Sequence, residues 1–132
     1  MILVDTSVWI DYVRGRPTNA VERLRVALDR GLNASLTSLI YQEILQGAES
    51  DRAFRDFCAF FSSQRFLHPL DPIASHERAA RLYFDCRRRG LTIRSSADCL
   101  IAQIAIDHGV ALLHDDRDFE NIAKVAPRLK FA

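Results

Sequence analysis

Lysine is almost missing from this 132-residue chain: Lys124 and Lys130 are the only two, so arginine supplies 16 of the 18 basic residues. A genome-wide codon bias explains that as well as function does, although arginine's planar fork suits phosphate. Cysteine is scarce too. Cys58, Cys86 and Cys99 are widely spaced and form no CxxC pair, which argues against a disulfide framework and against zinc, and for a reducing compartment. His68, His76, His108 and His114 show no HxxxH spacing. No apolar run approaches the ~20 residues of a membrane span. The N-terminal Met1-Ile2-Leu3-Val4 meets an acid at Asp5, too early for a signal sequence. A soluble, cytoplasmic protein without membrane contact is expected. Charge of one sign is lacking as well: 18 bases face 17 acids, a net charge of +1. A simple polybasic binder or an acidic-tail protein is thereby excluded.

Enough apolar material is present for a core. Hydrophobic residues make up 48% and charged residues 27% of the chain, a globular composition. The length predicts a single domain over 1–132, with no internal repeat, linker or low-complexity segment. Ile2–Val4 reads as a buried strand, followed by a short helix to Val13 for which Asp5, Thr6 and Ser7 offer caps. A helix over Thr18–Arg30 has Val21, Leu24 and Leu28 at helical spacing and stops at Gly31. Leu32–Leu36 reads as a strand. Helices follow from Thr37 or Ser38 to about Ala48 and over Asp51–Ser62. Phe66–His68 is a weak strand. Pro72 opens a long helix ended by Gly90, and Ser95–His108 is a strongly apolar helix ended by Gly109. Val110–Leu113 reads as a strand, Asp116–Ala126 as a helix, and Arg128–Phe131 as a last edge strand. Strands that alternate with helices and lack polar alternation are covered on both faces. The fold class is α/β, a three-layer α/β/α sandwich on a mostly parallel sheet.

Five acids stand where such a fold makes them informative. Asp5 follows one apolar strand, and Asp115 and Asp116 follow another; open parallel sheets bind ligands outside the carboxyl ends of their strands. For Asp5 or Asp116 taken alone, helix capping is the better explanation. Glu43 shares a helix face with Leu39, Ile40 and Gly47, so a carboxylate interrupts an apolar stripe and requires neutralisation by an arginine or a metal. Asp98 shares a face with Ile101, Ala102 and Ala105, although Ser95-Ser96-Ala97-Asp98 also reads as a capping box. The acids are far apart in sequence, so only the fold can gather them. Clustered carboxylates repel unless a cation is present, and an all-oxygen set without Cys or His suits Mg²⁺ or Mn²⁺.

Four blocks now resemble, in order, those of PIN-domain ribonucleases: Val4-Asp5-Thr6-Ser7-Val8-Trp9-Ile10-Asp11, Tyr41-Gln42-Glu43-Ile44-Leu45-Gln46-Gly47, Ala97-Asp98-Cys99-Leu100-Ile101-Ala102, and Leu112-Leu113-His114-Asp115-Asp116-Arg117-Asp118-Phe119. The closer resemblance is to the VapC toxins of type II toxin–antitoxin pairs, and it runs from Ile2 to about Ala123. It implies a PIN-like fold and a metal-dependent endoribonuclease that hydrolyses RNA phosphodiester bonds to 5′-phosphate and 3′-hydroxyl ends. Asp5, Glu43, Asp98 and Asp116 match the family's catalytic, metal-binding acids, and Asp118 an acid that some members add; Asp115 competes for the last block's register. His114 stands where many relatives carry Thr, and is expected to end the strand. Thr6 and Ser7 match small hydroxyl positions, with helix capping as their default role. The resemblance also implies Mg²⁺ or Mn²⁺ as cofactor, RNA as substrate, a cognate antitoxin as partner and a homodimer.

Charge is compatible with that reading only when metal is bound. With five acids occupied, 18 bases would face 12 free acids. Arg87-Arg88-Arg89 with Arg94, and Arg14 with Arg16, are candidate phosphate contacts. In the aromatic helix Asp51–Ser62, Phe54, Phe57, Cys58 and Phe61 form an apolar stripe expected to be core, while Phe60 falls off it and marks a groove for an amphipathic partner segment. Two other classes compete. A phosphoacceptor receiver domain needs a Lys late in the sheet, and Lys124 falls inside a helix. A degenerate PIN-fold module would bind RNA or protein without catalysis, yet has no reason to keep inward-facing carboxylates.

Overall fold

The computed structural model describes residues 1–132. Its first strand, β1 (Ile2–Val4), leads into α1 (Thr6–Val13) and α2 (Asn19–Asp29). Then come β2 (Ala34–Leu36), α3 (Ser38–Gln46), α4 (Asp51–Phe61), β3 (Arg65–Phe66) and α5 (Pro72–Arg88). The chain ends with α6 (Ser96–His108), β4 (Ala111–Leu113) and α7 (Arg117–Val125).

Local chemistry sets these boundaries. The hydroxyls of Thr18, Thr37 and Ser50 accept from the N–H groups of Val21, Ile40 and Ala53 at 3.1, 3.0 and 3.0 Å, capping α2, α3 and α4. Asp71 caps α5 just before Pro72, whose missing N–H costs nothing in the first turn. Gly109, at φ +63°, takes the left-handed conformation that ends α6, and the Val110 N–H closes on the Ala105 carbonyl at 3.1 Å. That turn delivers the chain directly into β4.

All four strands are parallel, in the order β3-β2-β1-β4. In register, Leu3 lies beside Ser35 on one side and Leu112 on the other. The steps from β1 to β2 to β3 run one way across the sheet, and the step to β4 returns past β1. Right-handed crossovers therefore lay α1–α4 on one face and α5–α7 on the other. Leu3, Val4, Leu36 and Leu112 are fully buried between the layers. Each such side chain contributes on the order of 2 kcal/mol of transfer free energy. Between α5 and α6, the buried Ser75 hydroxyl donates to Asp107 Oδ2 at 2.6 Å and Gln103 Nε2 to Asp107 Oδ1 at 2.9 Å, which fixes the antiparallel register of the two helices. No helix is long and apolar enough to cross a membrane.

The strands are shorter than the sequence predicts. The second begins at Ala34 rather than Leu32, and the third is Arg65–Phe66 rather than Phe66–His68. The expected edge strand at Arg128–Phe131 reduces to one parallel bridge, Leu112 with Phe131. Leu32 is 43% exposed, so its apolarity does not report burial. Phe54 is a second departure from the expected core: it is 45% exposed, whereas Phe61 is fully buried and Phe57 half-buried. Phe60 is 42% exposed, as its place off the stripe predicts.

Beyond β1 the chain turns into α1 on one face, and beyond β4 it turns into α7 on the other. The carboxyl ends of these adjacent strands thus open on a crevice, the place where parallel α/β sheets bind ligands.

Candidate active site

Asp5, Thr6, Ser7, Ile10, Glu43, Arg94, Ser95, Asp98, Asp116 and Asp118 line a cleft of about 390 Å³ at that crevice. Asp5 arrives at the end of β1, Glu43 from the middle of α3, Asp98 from the first turn of α6, and Asp116 and Asp118 from the start of α7. Carboxylate oxygens of Asp98, Asp116 and Asp118 lie within 4.8 Å of one another. Asp115, by contrast, is exposed and does not line this cleft.

The local alternatives separate once side chains are placed. Asp5 sits at the N-cap of α1, but its carboxylate makes no cap bond. Instead Oδ2 accepts from the Ser7 hydroxyl at 3.0 Å. Thr6 does not cap either: its Oγ1 is buried without a hydrogen-bond partner, and both hydroxyls line the cleft. No capping box forms at Asp98. Ser95 Oγ accepts from the Ala97 N–H at 3.3 Å, and the Asp98 carboxylate has no salt-bridge partner. Asp116 does cap, accepting the Asp118 N–H on Oδ1 at 3.0 Å, and belongs to the cluster as well. Gly47, expected beside Glu43, is instead the exposed C-cap of α3.

Electrostatics follow from this crowding. Burial, and then the charge of Asp5, raises the Glu43 carboxyl above its ordinary range. Glu43 Oε1 is buried with no hydrogen-bond partner, and no arginine pairs with it. Burial raises Asp5 as well. Asp98 moves furthest, to about 7: burial is the main cause, followed by the charges of Asp5, Asp116, Asp118 and Glu43. A group of carboxyls held so far up needs positive charge to ionise together.

One cation is supplied by the chain. Arg94, a candidate phosphate contact, has a second role that the sequence does not show: its side chain turns onto the acids. Nη2 donates to Asp116 Oδ1 at 2.7 Å and Nε to Asp118 Oδ2 at 3.2 Å, while the Arg94 backbone N–H donates to the same Asp118 oxygen at 3.0 Å. No local signal in the sequence marks this, because an arginine in a polar loop breaks no rule. Arg14 and Arg16 are occupied elsewhere, by Glu49 at 3.7 Å and Asp11 at 3.3 Å. His114 is a packing residue: Nδ1 meets the Asp116 N–H at 3.1 Å, and its ring lies 4.5 Å from that of Phe131. A larger cavity, about 660 Å³ between α2 and β4, shares none of these acids.

Comparison with known proteins gives the family. The family defined by the PIN domain matches residues 2–125. The chain belongs to the PIN-domain family. Within that family it is similar to ribonuclease VapC11 of Mycobacterium tuberculosis and to a VapC ribonuclease of Mycobacterium bovis. Each is 36% identical over 126 residues, spanning 95% of this chain and 93% of the relative. This PIN-domain chain therefore sits among the VapC ribonucleases. Its fold matches VapBC2 from Rickettsia felis, solved bound to a promoter DNA fragment, with a TM-score of 0.73 at 18% identity over 100% of this chain and 98% of the other. VapBC-1 from nontypeable Haemophilus influenzae matches with a TM-score of 0.73 at 21% identity, covering 100% and 97%.

A divalent cation fits the residues present. The donors are all oxygen, which suits Mg²⁺ or Mn²⁺ rather than zinc. The orphaned Glu43 Oε1 and the raised Asp98 mark where positive charge is lacking.

Proposed function

We propose that this VapC-family chain is a metal-dependent endoribonuclease, the toxin of a toxin–antitoxin pair, with Asp5, Glu43, Asp98, Asp116 and Asp118 as the residues that hold Mg²⁺ or Mn²⁺. One observation carries the reading. Five acids from four separate stretches of chain meet in one cleft at the strand ends, and Glu43 and Asp98 lack any arginine of their own. Such an arrangement is costly without a ligand.

When bound there, a divalent ion supplies a Lewis acid and a water of lowered pKa for attack on phosphorus. The remaining work falls to the chain. Ser7 holds Asp5 by its 3.0 Å hydrogen bond, which orients the carboxylate at the end of β1. Asp98, raised to about 7 by burial and by neighbouring acids, would set protons in competition with the cation, so occupancy should strengthen as pH rises through neutral; burial and Asp5 push Glu43 in the same direction. Asp116 is fixed by capping α7. Arg94 shares Asp116 and Asp118 with any cation that the cluster holds. Its guanidinium is 70% exposed and reaches the mouth of the cleft, where an RNA phosphate would sit; a bidentate contact there suits arginine.

The VapBC pairs among the fold neighbours support an antitoxin partner for this chain, and a second copy of the chain is part of the same reading. Exposed Phe54 and Phe60 on α4, with Leu70 and Ile73 at 66% and 72% exposure, offer apolar surface for such partners. The deciding experiment incubates the purified chain with RNA in Mg²⁺, beside an Asp5→Asn variant, and analyses the new ends. Metal-dependent cleavage by the parent alone, giving 5′-phosphate and 3′-hydroxyl ends, is expected. Cleavage that persists in excess EDTA with 2′,3′-cyclic phosphate ends would point to a metal-free, 2′-hydroxyl-driven reaction and end this reading.

A further inference from the structure

Away from the cleft, positive charge is concentrated on the last turns of α5. Between positions 80 and 89 stand Arg81, Arg87, Arg88 and Arg89 against the single acid Asp85. Arg81 pairs with Asp85 at 3.0 Å. Arg87 and Arg88 pair with no carboxylate, and Arg89 spends one N–H on the Lys124 carbonyl at 2.7 Å while keeping its charge. This short stretch is thus three charges positive in a chain whose total is +1.

Aromatic rings stand among these arginines. Phe84 is 48% exposed, with the Arg81 and Arg88 guanidinium carbons 5.2 and 5.7 Å from its ring centre. Arg87 lies 5.9 Å over Tyr83 in the same way. Such contacts hold rings and cations in place before any ligand arrives. A single exposed phenylalanine needs no explanation, but one flanked by Arg88, whose charge no carboxylate neutralises, does. The combination is what single-stranded nucleic acid requires: cations along the backbone and a π-face for an unpaired base. A duplex would use the arginines and leave the ring idle, because its bases are already stacked.

The patch is also placed to serve the cleft. On the inner side of α5, Cys86 Sγ lies 4.0 Å from the Asn121 carbonyl, and Asn121 follows Asp118 by one turn of α7. The outer face of α5 is therefore roughly one helix diameter, about 10–12 Å, beyond that turn. We infer that the Tyr83–Phe84–Arg87–Arg88 face of α5 is a docking site for single-stranded nucleotides of the RNA substrate, outside the cleft that cuts it. The inference rests on the ribonuclease reading for the identity of the ligand.

The test uses the full chain carrying Asp5→Asn and a fluorescein-labelled single-stranded RNA, with affinity followed by anisotropy over a range of salt. Removing both charges (Arg87→Gln with Arg88→Gln) should weaken binding and make the slope of log K against log salt shallower by about 1.4, the value for two lost phosphate contacts on a single strand. Phe84→Ala should weaken binding roughly five-fold or more while leaving that slope unchanged. Arg23→Gln with Arg30→Gln, which removes equal charge from α2 in the opposite layer, should change affinity much less. Unchanged affinity in the α5 variants overturns the proposal, as does an equal loss in the α2 control. A change of sedimentation in Phe84→Ala also overturns it, because the face is then a contact between copies of the chain. If the α5 variants behave as stated but the parent chain cuts no RNA in Mg²⁺, the docking site stands and the ribonuclease reading falls.

Discussion

Asp98→Asn should stabilise the metal-free protein, and only above mildly acidic pH. In the folded chain the Asp98 carboxyl is raised from its ordinary 3.8 to about 7. The folded state therefore holds a proton that the unfolded state has already lost, and stability falls as pH climbs through that window. Below about pH 4 both states are protonated and the penalty vanishes; above about 7 it is complete. At ~1.4 kcal/mol per unit the full shift corresponds to about 4 kcal/mol. Asp98 is only half-buried, so solvent screening reduces this to about 2 kcal/mol. Asn also gives up the favourable charge in the first turn of α6, roughly 0.5 kcal/mol. The remaining ~1.5 kcal/mol is equivalent to about 6 °C in Tm at this chain length. Thermal melts by circular dichroism in EDTA, at pH 8 and pH 4, measure both limits: a gain of about 6 °C at the first and near zero at the second. Saturating Mg²⁺ should reverse the order, since a ligand at ~100 times its Kd adds about 2.7 kcal/mol to the parent and less to a variant lacking one carboxylate. A fall in Tm at pH 8 in EDTA, or a shift independent of pH, would show that Asp98 serves α6 and not the cluster.

Arg94→Gln should have the opposite signature: a lower metal-free Tm, because Asp116 and Asp118 lose their counter-ion, together with tighter Mn²⁺ binding by titration calorimetry, because the ion no longer competes with a guanidinium. Weaker Mn²⁺ binding would make Arg94 a support for the acids rather than their competitor. Calorimetric Mn²⁺ binding by the parent should also release protons between pH 6 and 8, with heats that depend on the buffer; the absence of a buffer effect would deny Asp98 a place among the ligands. Phe60→Asp should leave the isolated chain folded, since Phe60 is 42% exposed, and should weaken binding of the cognate antitoxin. Unfolding of that variant would return Phe60 to the core through its 4.9 Å ring contact with Phe61.

Much of the fold could be read from the sequence because its signals are local. Thr18, Ser95 and Asp116 cap where cap residues stand, and Gly109 turns where a left-handed residue is required. Strand ends were harder. Leu32 and Leu129 look alike in sequence, yet the first is 43% exposed and the second 5%; only the packing of α2 and α7 separates them. Phe54 failed in the same way. Helical spacing assigns it to a face, but the width of the buried face depends on how closely α3 approaches α4, which periodicity does not encode.

The acids could be nominated from sequence, but Arg94 could not be assigned to them, and the asymmetry has a physical cause. A carboxylate at a strand end or within an apolar stripe breaks a local rule, so each acid announces itself where it stands. An arginine in a polar loop breaks none. Its role appears only when the 24 residues between Arg94 and Asp118 close back on themselves and set its Nε 3.2 Å from that carboxylate. This contact also explains how the cluster tolerates folding before a cation arrives. Arg94 neutralises Asp116 and the buried Asp118, while the half-buried Asp98, raised to about 7, relieves the remaining crowding by holding a proton. A divalent ion held there would take over the counter-charge that Arg94 supplies, so affinity should depend on both Arg94 and pH; Arg94→Gln should steepen the pH dependence, because the acids lose their one nearby cation and hold their protons more tightly.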